Sequence, residues 1–308
     1  MTGVDRVEAA YLQHLLVQDT PVFGLVRSAM GYLLLDRQGM ALLQNPATAF
    51  GKPDLIGRIA YRHDPRRGGA EAALRAGAVA RCWRGGLQKM LRRHLPVGGT
   101  YLNVGHANLN EECFLQIKAA GMQTAVLVHD TIPLDHPEFC RPYSLAPFQR
   151  KMSVVAHHAD LVIHTTPDAR AKTERHFAAL GRIPTGIVAA LGVELPPPGP
   201  LPFEPHHPYF LCLGTIEPRK NHALLLDVWE KLPAPAPHLY IVGRRGWSNE
   251  AVFARLDRLP QDGPVHEMAG LDDAAVVQLL QGAKALLFPS FAEGFGLPAL
   301  EAAIGLPV

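Results

Sequence analysis

The stretch LCLGTIEPRKNHALLL, residues 211–226, passes through three kinds of sequence in quick succession. An apolar run of strand length ends at Gly214, a polar and charged turn follows, and Asn221 and His222 lead into an apolar-periodic helix. A uniformly apolar strand feeding directly into a helix is the unit of a parallel sheet covered on both faces. The same unit recurs along the chain. Strand-like runs TAVLV (124–128), ADLVIHT (159–165), TGIVAAL (185–191), YFLCLG (209–214), HLYIVG (238–243) and KALLFPS (284–290) alternate with helical stretches at 146–158, 168–180, 220–232, 249–259 and 272–282. Strand–helix alternation of this kind predicts α/β architecture.

One interval breaks the rhythm. VELPPPGPLPFEPHHP (193–208) holds seven prolines and carries neither period. Proline fixes φ and removes a donor, so this segment reads as an extended linker between two α/β halves. At 308 residues the chain is also too long for one ordinary core. The predicted domains are 1–197 and 198–308. Ligands of open α/β sheets sit beyond the strand C-termini, and two such domains facing each other place the site in a cleft. Both ends read as interrupted. TGVDRVEAAYLQHLL enters a helix that no strand precedes, and EAAIGLPV reads as a helix, a glycine stop and the first residues of a further strand. The expectation is a fragment, lacking elements on both sides.

Apolar residues make up 48% of the chain and charged ones 19%, a globular balance, and the net charge of +2 argues against a nucleic-acid-gripping surface. Charge is uneven, however. Between Arg58 and Arg93 ten Lys and Arg residues face two acids, Asp64 and Glu71. This is either a solvated helix face or a patch for an anionic bilayer or anionic substrate. The four cysteines form no CxxC pair, and Cys113 and Cys212 read as reduced core residues of a cytosolic protein. No apolar run reaches the length of a membrane span and no signal-peptide core opens the chain. The expected location is cytoplasmic, with peripheral contact at the inner membrane face through residues 58–93.

Two loops carry most of the chemistry. After Gly214, the start of the helix together with Arg219 and Lys220 makes an anion site or, alternatively, an ordinary charged βα loop. The spacing is not that of a Walker loop. In FPSFAEGFGLPALEA (288–302), Gly294 and Gly296 bare the backbone and Pro298 suits a first helical turn. Glu293 then lies in the loop and Glu301 early in the helix. An anion at that helix start carries its attached groups past both carboxylates, and carboxylates accept paired hydrogen bonds from vicinal diols. In AVLVHDTIPLDHPEF (125–139) a buried strand ends at His129, at the edge where α/β domains place catalytic groups, although a lone histidine is as readily structural. His129, Asp135 and His136 match no common metal-ligand spacing. Thr166 reads as a helix cap before Asp168, and His157 and His158 as structural residues on a helix.

Together these segments resemble the family-4, or group 1, retaining glycosyltransferases of GT-B fold, with members of mannosyltransferase type nearest in their EPRKN and HDTIPLDHPE segments. The most specific part is the E-x7-E block at Glu293 and Glu301; GTIEPRKN resembles the family's donor-pyrophosphate loop and TGVDRVE its glycine-rich loop. The resemblance implies two Rossmann-like domains across a cleft, the first on the acceptor side. It implies a metal-independent hexosyltransferase using a nucleotide-sugar donor such as a GDP- or UDP-sugar, no further cofactor, and a glycan or lipid-linked acceptor in surface polysaccharide synthesis. Residue by residue, it implies that Lys220, with Arg219 nearby, neutralises the donor pyrophosphate beside Gly214 and Asn221. Glu293 holds hydroxyls of the transferred sugar, with the amides of Phe295 and Gly296 close by, and Glu301 holds the ribose diol. His129 acts on the sugar from the first domain, while Gly3, assisted by Arg6, lets the N-terminal loop approach the phosphates. Many members carry an arginine after the glycine of the donor loop, where this chain has Thr215, so Arg219 is the candidate replacement. The alternatives are a phosphorylase or a sucrose- or glycogen-synthase type of the same architecture, and an inactive nucleotide-binding remnant.

Overall fold

The computed structural model describes residues 3–44, 51–206 and 208–306. They divide into one unit of residues up to His129 with Arg150–Ala189, and a second of Asp130–Gln149 with the chain from Ala190 onward. Each is an α/β body with its own sheet.

The second unit holds the strand–turn–helix of residues 211–226. Its parallel sheet consists of β8 (Tyr209–Leu213), β9 (His238–Val242) and β10 (Val265–Met268) in the order β10-β9-β8. Side-chain alternation along the strands supplies two cores. Cys212, Leu239 and Ile241 pack on one face against Leu225, Leu226 and Trp229 of the helix His222–Trp229 and against Val252 and Leu256. Leu211, Leu213, Tyr240 and Val242 pack on the other face against Leu279, Leu280 and Ala302. Fully burying a leucine such as Leu211 contributes roughly 1.5–3 kcal/mol, so this double cover is what holds the strands that position the loops.

The run at 284–290 forms less of a strand than its composition predicts. Lys284 and Leu287 donate backbone bonds to the Tyr209 and Leu211 carbonyls at 2.8 and 2.7 Å, Leu211 donates to Ala285 at 3.0 Å, and one bridge joins Leu211 to Leu286. The ladder stops there because Pro289 has no N–H to continue it. The proline-rich interval has no regular structure, as expected. It is nevertheless packed: Leu201 and Phe203 lie against the second core, and Gly199 donates to the Ala274 carbonyl at 3.0 Å.

The first unit contains a parallel sheet of β4 (Thr100–Asn103), β5 (Gln123–Val128), β6 (Leu161–His164) and β7 (Thr185–Val188), in that order. It also contains an antiparallel sheet that the α/β reading did not anticipate: β1 (Gly24–Arg27), β2 (Gly31–Leu35) and β3 (Ala78–Trp83). All five residues of β2 are buried, Tyr32 and Leu34 against Leu87, Met90 and Ile117, and Leu33 and Leu35 against Met40 and Leu74. Cys113 is buried here, as Cys212 is in the other unit, and all four cysteines are free thiols.

The ten basic residues between Arg58 and Arg93 are spread over several elements rather than lining one helix. Arg75 is buried in an ion-pair cluster with Glu71 and with Asp54, the latter at 2.6 Å, while the other nine are exposed. No helix among the described residues is long and apolar enough to cross a membrane.

Candidate functional site

The loop after β8 is shaped by close backbone approach. Gly214 has φ +132°, and a Cβ added at Gly243 would sit 1.9 Å from the Gly214 carbonyl oxygen. Ile216 donates to the Arg244 carbonyl at 2.9 Å and Gly246 returns a bond to Ile216 at 3.0 Å, so the loops after β8 and β9 run side by side. The chain then makes a 3-10 turn over Pro218–Lys220 and reaches Asn221, which adopts a left-handed conformation at φ 53° and caps the helix His222–Trp229.

This turn is tied to the loop after residue 287. Phe291 donates its backbone N–H to the Arg219 carbonyl at 2.9 Å, and the Asn221 amide donates to the Pro289 carbonyl at 3.3 Å. Four charged side chains meet across the junction. Lys220 Nζ lies 2.6 Å from Glu293 Oε1, and Arg219 Nη1 lies 2.8 Å from Glu293 Oε2. Arg219 also donates from Nε and Nη2 to Glu217 Oε1, at 3.1 and 2.6 Å. Lys220 Nζ lies 5.1 Å from the centre of the Phe288 ring, and Lys220 and Glu217 are buried.

The electrostatics follow from this packing. Burial alone would raise the Glu293 pKa, but the charges of Lys220 and Arg219 outweigh it and hold the carboxyl below its ordinary range. Burial would lower the Arg219 pKa, and Glu293 and Glu217 reverse that, so it stays protonated more firmly than usual. His222, at the start of the helix, is driven down to about 4 by burial and by Lys220 and is neutral at pH 7. Neither of its ring nitrogens has a hydrogen-bond partner among the described residues.

Beyond Glu293, Gly296 has φ +85° and caps the helix Leu297–Gly305, with Pro298 in its first turn. The first turn of a helix presents N–H groups without intrahelical partners, a ready anion site. Glu301 is the fifth residue of this helix, early in it as the sequence reading placed it, and it is buried. The two acids are therefore unlike: Glu293 is half-buried and bound to cations, while Glu301 is buried within the helix Leu297–Gly305. The further strand expected after this helix falls on Pro307 and Val308, outside the described residues.

The structure thus brings together Gly214, Arg219, Lys220, Asn221 and Glu293, with Phe295, Gly296 and Glu301 following on the same loop and helix. Glu217, which sequence reasoning passed over, joins them; its signal was its place two residues before Arg219 in EPRKN. The other three predicted residues belong to the first unit. His129 is buried, and its Nε2 lies 2.6 Å from the Val104 carbonyl; since a carbonyl only accepts, Nε2 carries the proton. Its ring lies edge-to-face with His106, whose pKa falls to about 4 through burial and the neighbouring His129. Gly3 and Arg6 lie in the first turn of the helix Gly3–Val17, so the glycine opens a helix where a loop was expected. Asp135 accepts a 2.6 Å bond from Thr131. Among the described residues no three His, Cys, Asp or Glu side chains form a cluster placed to hold a metal ion.

Residues 199–308, the segment holding both loops, match the family described as glycosyl transferases group 1. In sequence the chain is similar to mannosyltransferases. It is 31% identical over 220 residues to the serotype-specific mannosyltransferase WbdA of Escherichia coli, covering 64% of this chain and 27% of that protein. It is 36% identical over 104 residues to the O-antigen chain mannosyltransferase B of Escherichia coli, covering 32% of this chain and 27% of that protein. The chain therefore spans about a quarter of the length of the curated relatives it matches. Among solved structures, Anabaena HepE in complex with UDP aligns with a TM-score of 0.52 at 15% identity, covering 70% of this chain and 59% of that one. The apo structure of OtsA aligns at 0.54 and 13%, covering 99% and 79%. At such identities the likeness establishes the fold, that of the GT-B glycosyltransferases with Rossmann-like α/β domains.

Proposed function

We propose that the chain is a retaining glycosyltransferase that moves a sugar from a nucleoside-diphosphate donor to a hydroxyl of a glycan or lipid-linked acceptor in surface-polysaccharide synthesis. The observation that carries this reading is the pairing of Arg219 and Lys220 with Glu293 beyond the carboxyl end of β8, beside the helix start at Gly296. Charge building on a departing diphosphate is stabilised by fixed cations and amides. Arg219, Lys220 and the first-turn amides supply these without a metal ion. As the diphosphate takes the cations, Glu293 is released to accept hydrogen bonds from the sugar, and Glu301 holds the ribose diol. The acceptor oxygen bonds to the anomeric carbon on the face from which the phosphate oxygen leaves, and its proton passes to that phosphate. The relatives' names make mannose the first sugar to test.

Calorimetric titration with UDP, GDP and their sugars, followed by an assay of transfer from a labelled donor, tests the reading. Binding that is lost in Lys220→Ala and Glu301→Ala, transfer that survives a chelator, and a product with the donor's anomeric configuration are expected. His129→Ala is expected to lower kcat more than it raises KM. Absence of binding to any nucleoside diphosphate refutes the reading. Binding without transfer to any acceptor instead identifies a nucleotide-binding module.

The exposed basic surface of residues 58–93 is proposed to meet an anionic bilayer. Leu55 and Ile59 project from one face of the helix Leu55–Ala60, 73% and 72% exposed, next to Arg58 and Arg62. Apolar insertion with basic flanks is what interfacial helices use. Flotation with anionic liposomes, lost with neutral ones and in Leu55→Asp/Ile59→Asp, is the expected result.

A further inference from the structure

Glu217 stands out because it is a carboxylate that only 4% exposure leaves in contact with water. Burying a charge is costly unless it is paired and hydrogen-bonded. Its ion-pair partner among the described residues is Arg219, which donates from Nε and Nη2 to the same oxygen at 3.1 and 2.6 Å. The backbone turn keeps the two residues close together. Pro218 opens a 3-10 turn, and bonds from Lys220 to the Glu217 carbonyl (3.0 Å) and from Asn221 to the Pro218 carbonyl (3.1 Å) close it. Glu217 and Arg219 are thereby brought side by side across a proline whose φ is fixed.

The guanidinium is thus divided between two tasks. Its Nε and Nη2 belong to Glu217. Its Nη1 reaches the other loop, donating to the Ala292 carbonyl at 2.6 Å and pairing with Glu293 at 2.8 Å. Glu293 is shared with Lys220, so an incoming anion competes for both cations at once. When Glu293 is given up, the Ala292 carbonyl and Glu217 remain to orient the arginine, and Glu217 is the charged one, holding it through two of its nitrogens.

We propose that Glu217 is a positioning residue that keeps Arg219 aimed at the donor diphosphate. This rests on the donor-site reading above.

The test is a set of titrations of the full chain with UDP, GDP and the corresponding monophosphates, for the wild type, Glu217→Gln, Glu217→Ala, Arg219→Ala and the double variant Glu217→Gln/Arg219→Ala, with thermal unfolding in parallel. Glu217→Gln keeps the shape and removes the charge, which guards against failure of the alanine variant to fold. The expected result is a loss of about tenfold in diphosphate affinity, some 1.4 kcal/mol, in Glu217→Gln, with a smaller loss for the monophosphate. In the double variant no further loss beyond Arg219→Ala is expected. Diphosphate affinity at the wild-type level in Glu217→Gln, an equal loss for both ligands, or additive losses in the double variant would each overturn the assignment while leaving the donor site intact. A wild-type chain that binds no nucleoside diphosphate overturns the donor-site reading itself, and this assignment with it.

Discussion

Lys220 and Glu293 lie 73 positions apart in the chain and 2.6 Å apart in the structure, joining the loop after β8 to the loop that leads into the helix at Leu297. Arg219 occupies the other oxygen of the same carboxylate at 2.8 Å. Glu293 is thus paired with both of the site's cations, and only together with Glu217, the second partner of Arg219, do the charges balance. Ligand binding exchanges that internal pairing for contacts to phosphate and sugar, so these side chains act as a set.

A double-mutant cycle on Lys220→Ala and Glu293→Ala is expected to show this. Removing one group that stabilises developing charge costs on the order of 100-fold in kcat/KM, and each single variant is expected to lose about that much. The double variant is expected to lose well under the product, with a coupling of about 1 kcal/mol or more, because partners in one network do not add. Additive losses would show that the two residues work separately.

Acid stability gives an independent readout. Glu293 has a folded-state pKa depressed below the ordinary carboxylate value of 4.5, because Lys220 and Arg219 overcome the effect of burial. A depressed acid contributes stability that is fully present above its unfolded pKa and is lost as pH falls through the folded one. Wild-type unfolding free energy is therefore expected to fall more steeply than that of Glu293→Gln once pH drops below about 4.5. Urea titrations from pH 6 to pH 3 measure it, and parallel curves would contradict the pairing. Asp160 shifts in the same direction, Lys118 and Thr124 outweighing its burial, so Asp160→Asn serves as a positive control.

Gly243→Ala tests the close approach beneath the donor loop. The added methyl would meet the Gly214 carbonyl oxygen at 1.9 Å, and that atom is backbone rather than a side chain able to swing away. Overpacking of this kind costs about 1–3 kcal/mol. The expected result is a lowered Tm together with weaker nucleotide binding, since the displaced segment leads directly to Glu217 and Arg219. Gly192→Ala, where an added Cβ meets nothing within 4 Å, is expected to change neither.

What could be read in the sequence depended on how local the determining interactions are. β8 and β9, and the helices that follow them, announce themselves through apolar runs and helical period, both properties of a few adjacent residues. The sheet of β1, β2 and β3 does not. It pairs Leu35 with Ala78 across a long intervening segment, and the hairpin at Ser28–Gly31 lacks the Asn-Gly or Asp-Gly signal that usually marks such a turn. The run at 284–290 misled in the opposite sense, since its apolar residues suggest a strand that Pro289 cuts short. At the site, residue types and spacing marked Arg219, Lys220, Glu293 and Glu301 as candidates, and the family resemblance supplied their roles. That Lys220 and Arg219 share Glu293 follows from the residue 284–287 segment lying beside β8, which tertiary structure alone decides. Glu217 escaped notice because a loop acid and a buried anchor look the same in one sequence.

Asn221 sets two effects against each other, and the outcome is decided by their size. Its backbone lies at φ 53° and ψ 42°, a left-handed conformation that costs most L-residues about 1–2 kcal/mol and asparagine less. Its side chain donates to the Pro289 carbonyl at 3.3 Å, a long bond expected to contribute no more than about 1 kcal/mol. Asn221→Ala loses both features, while Asn221→Gly loses only the side-chain bond, offset by relief of backbone strain and opposed by about 0.5–1 kcal/mol of chain entropy. Backbone strain is the larger quantity. Asn221→Gly is therefore expected to stay within about 1 kcal/mol of the wild type and to bind nucleoside diphosphate nearly as well, whereas Asn221→Ala loses about 1–2 kcal/mol and binds more weakly. If urea unfolding and titration instead show equal losses in the two variants, the bond to Pro289 governs the junction of the two loops and the left-handed turn does not.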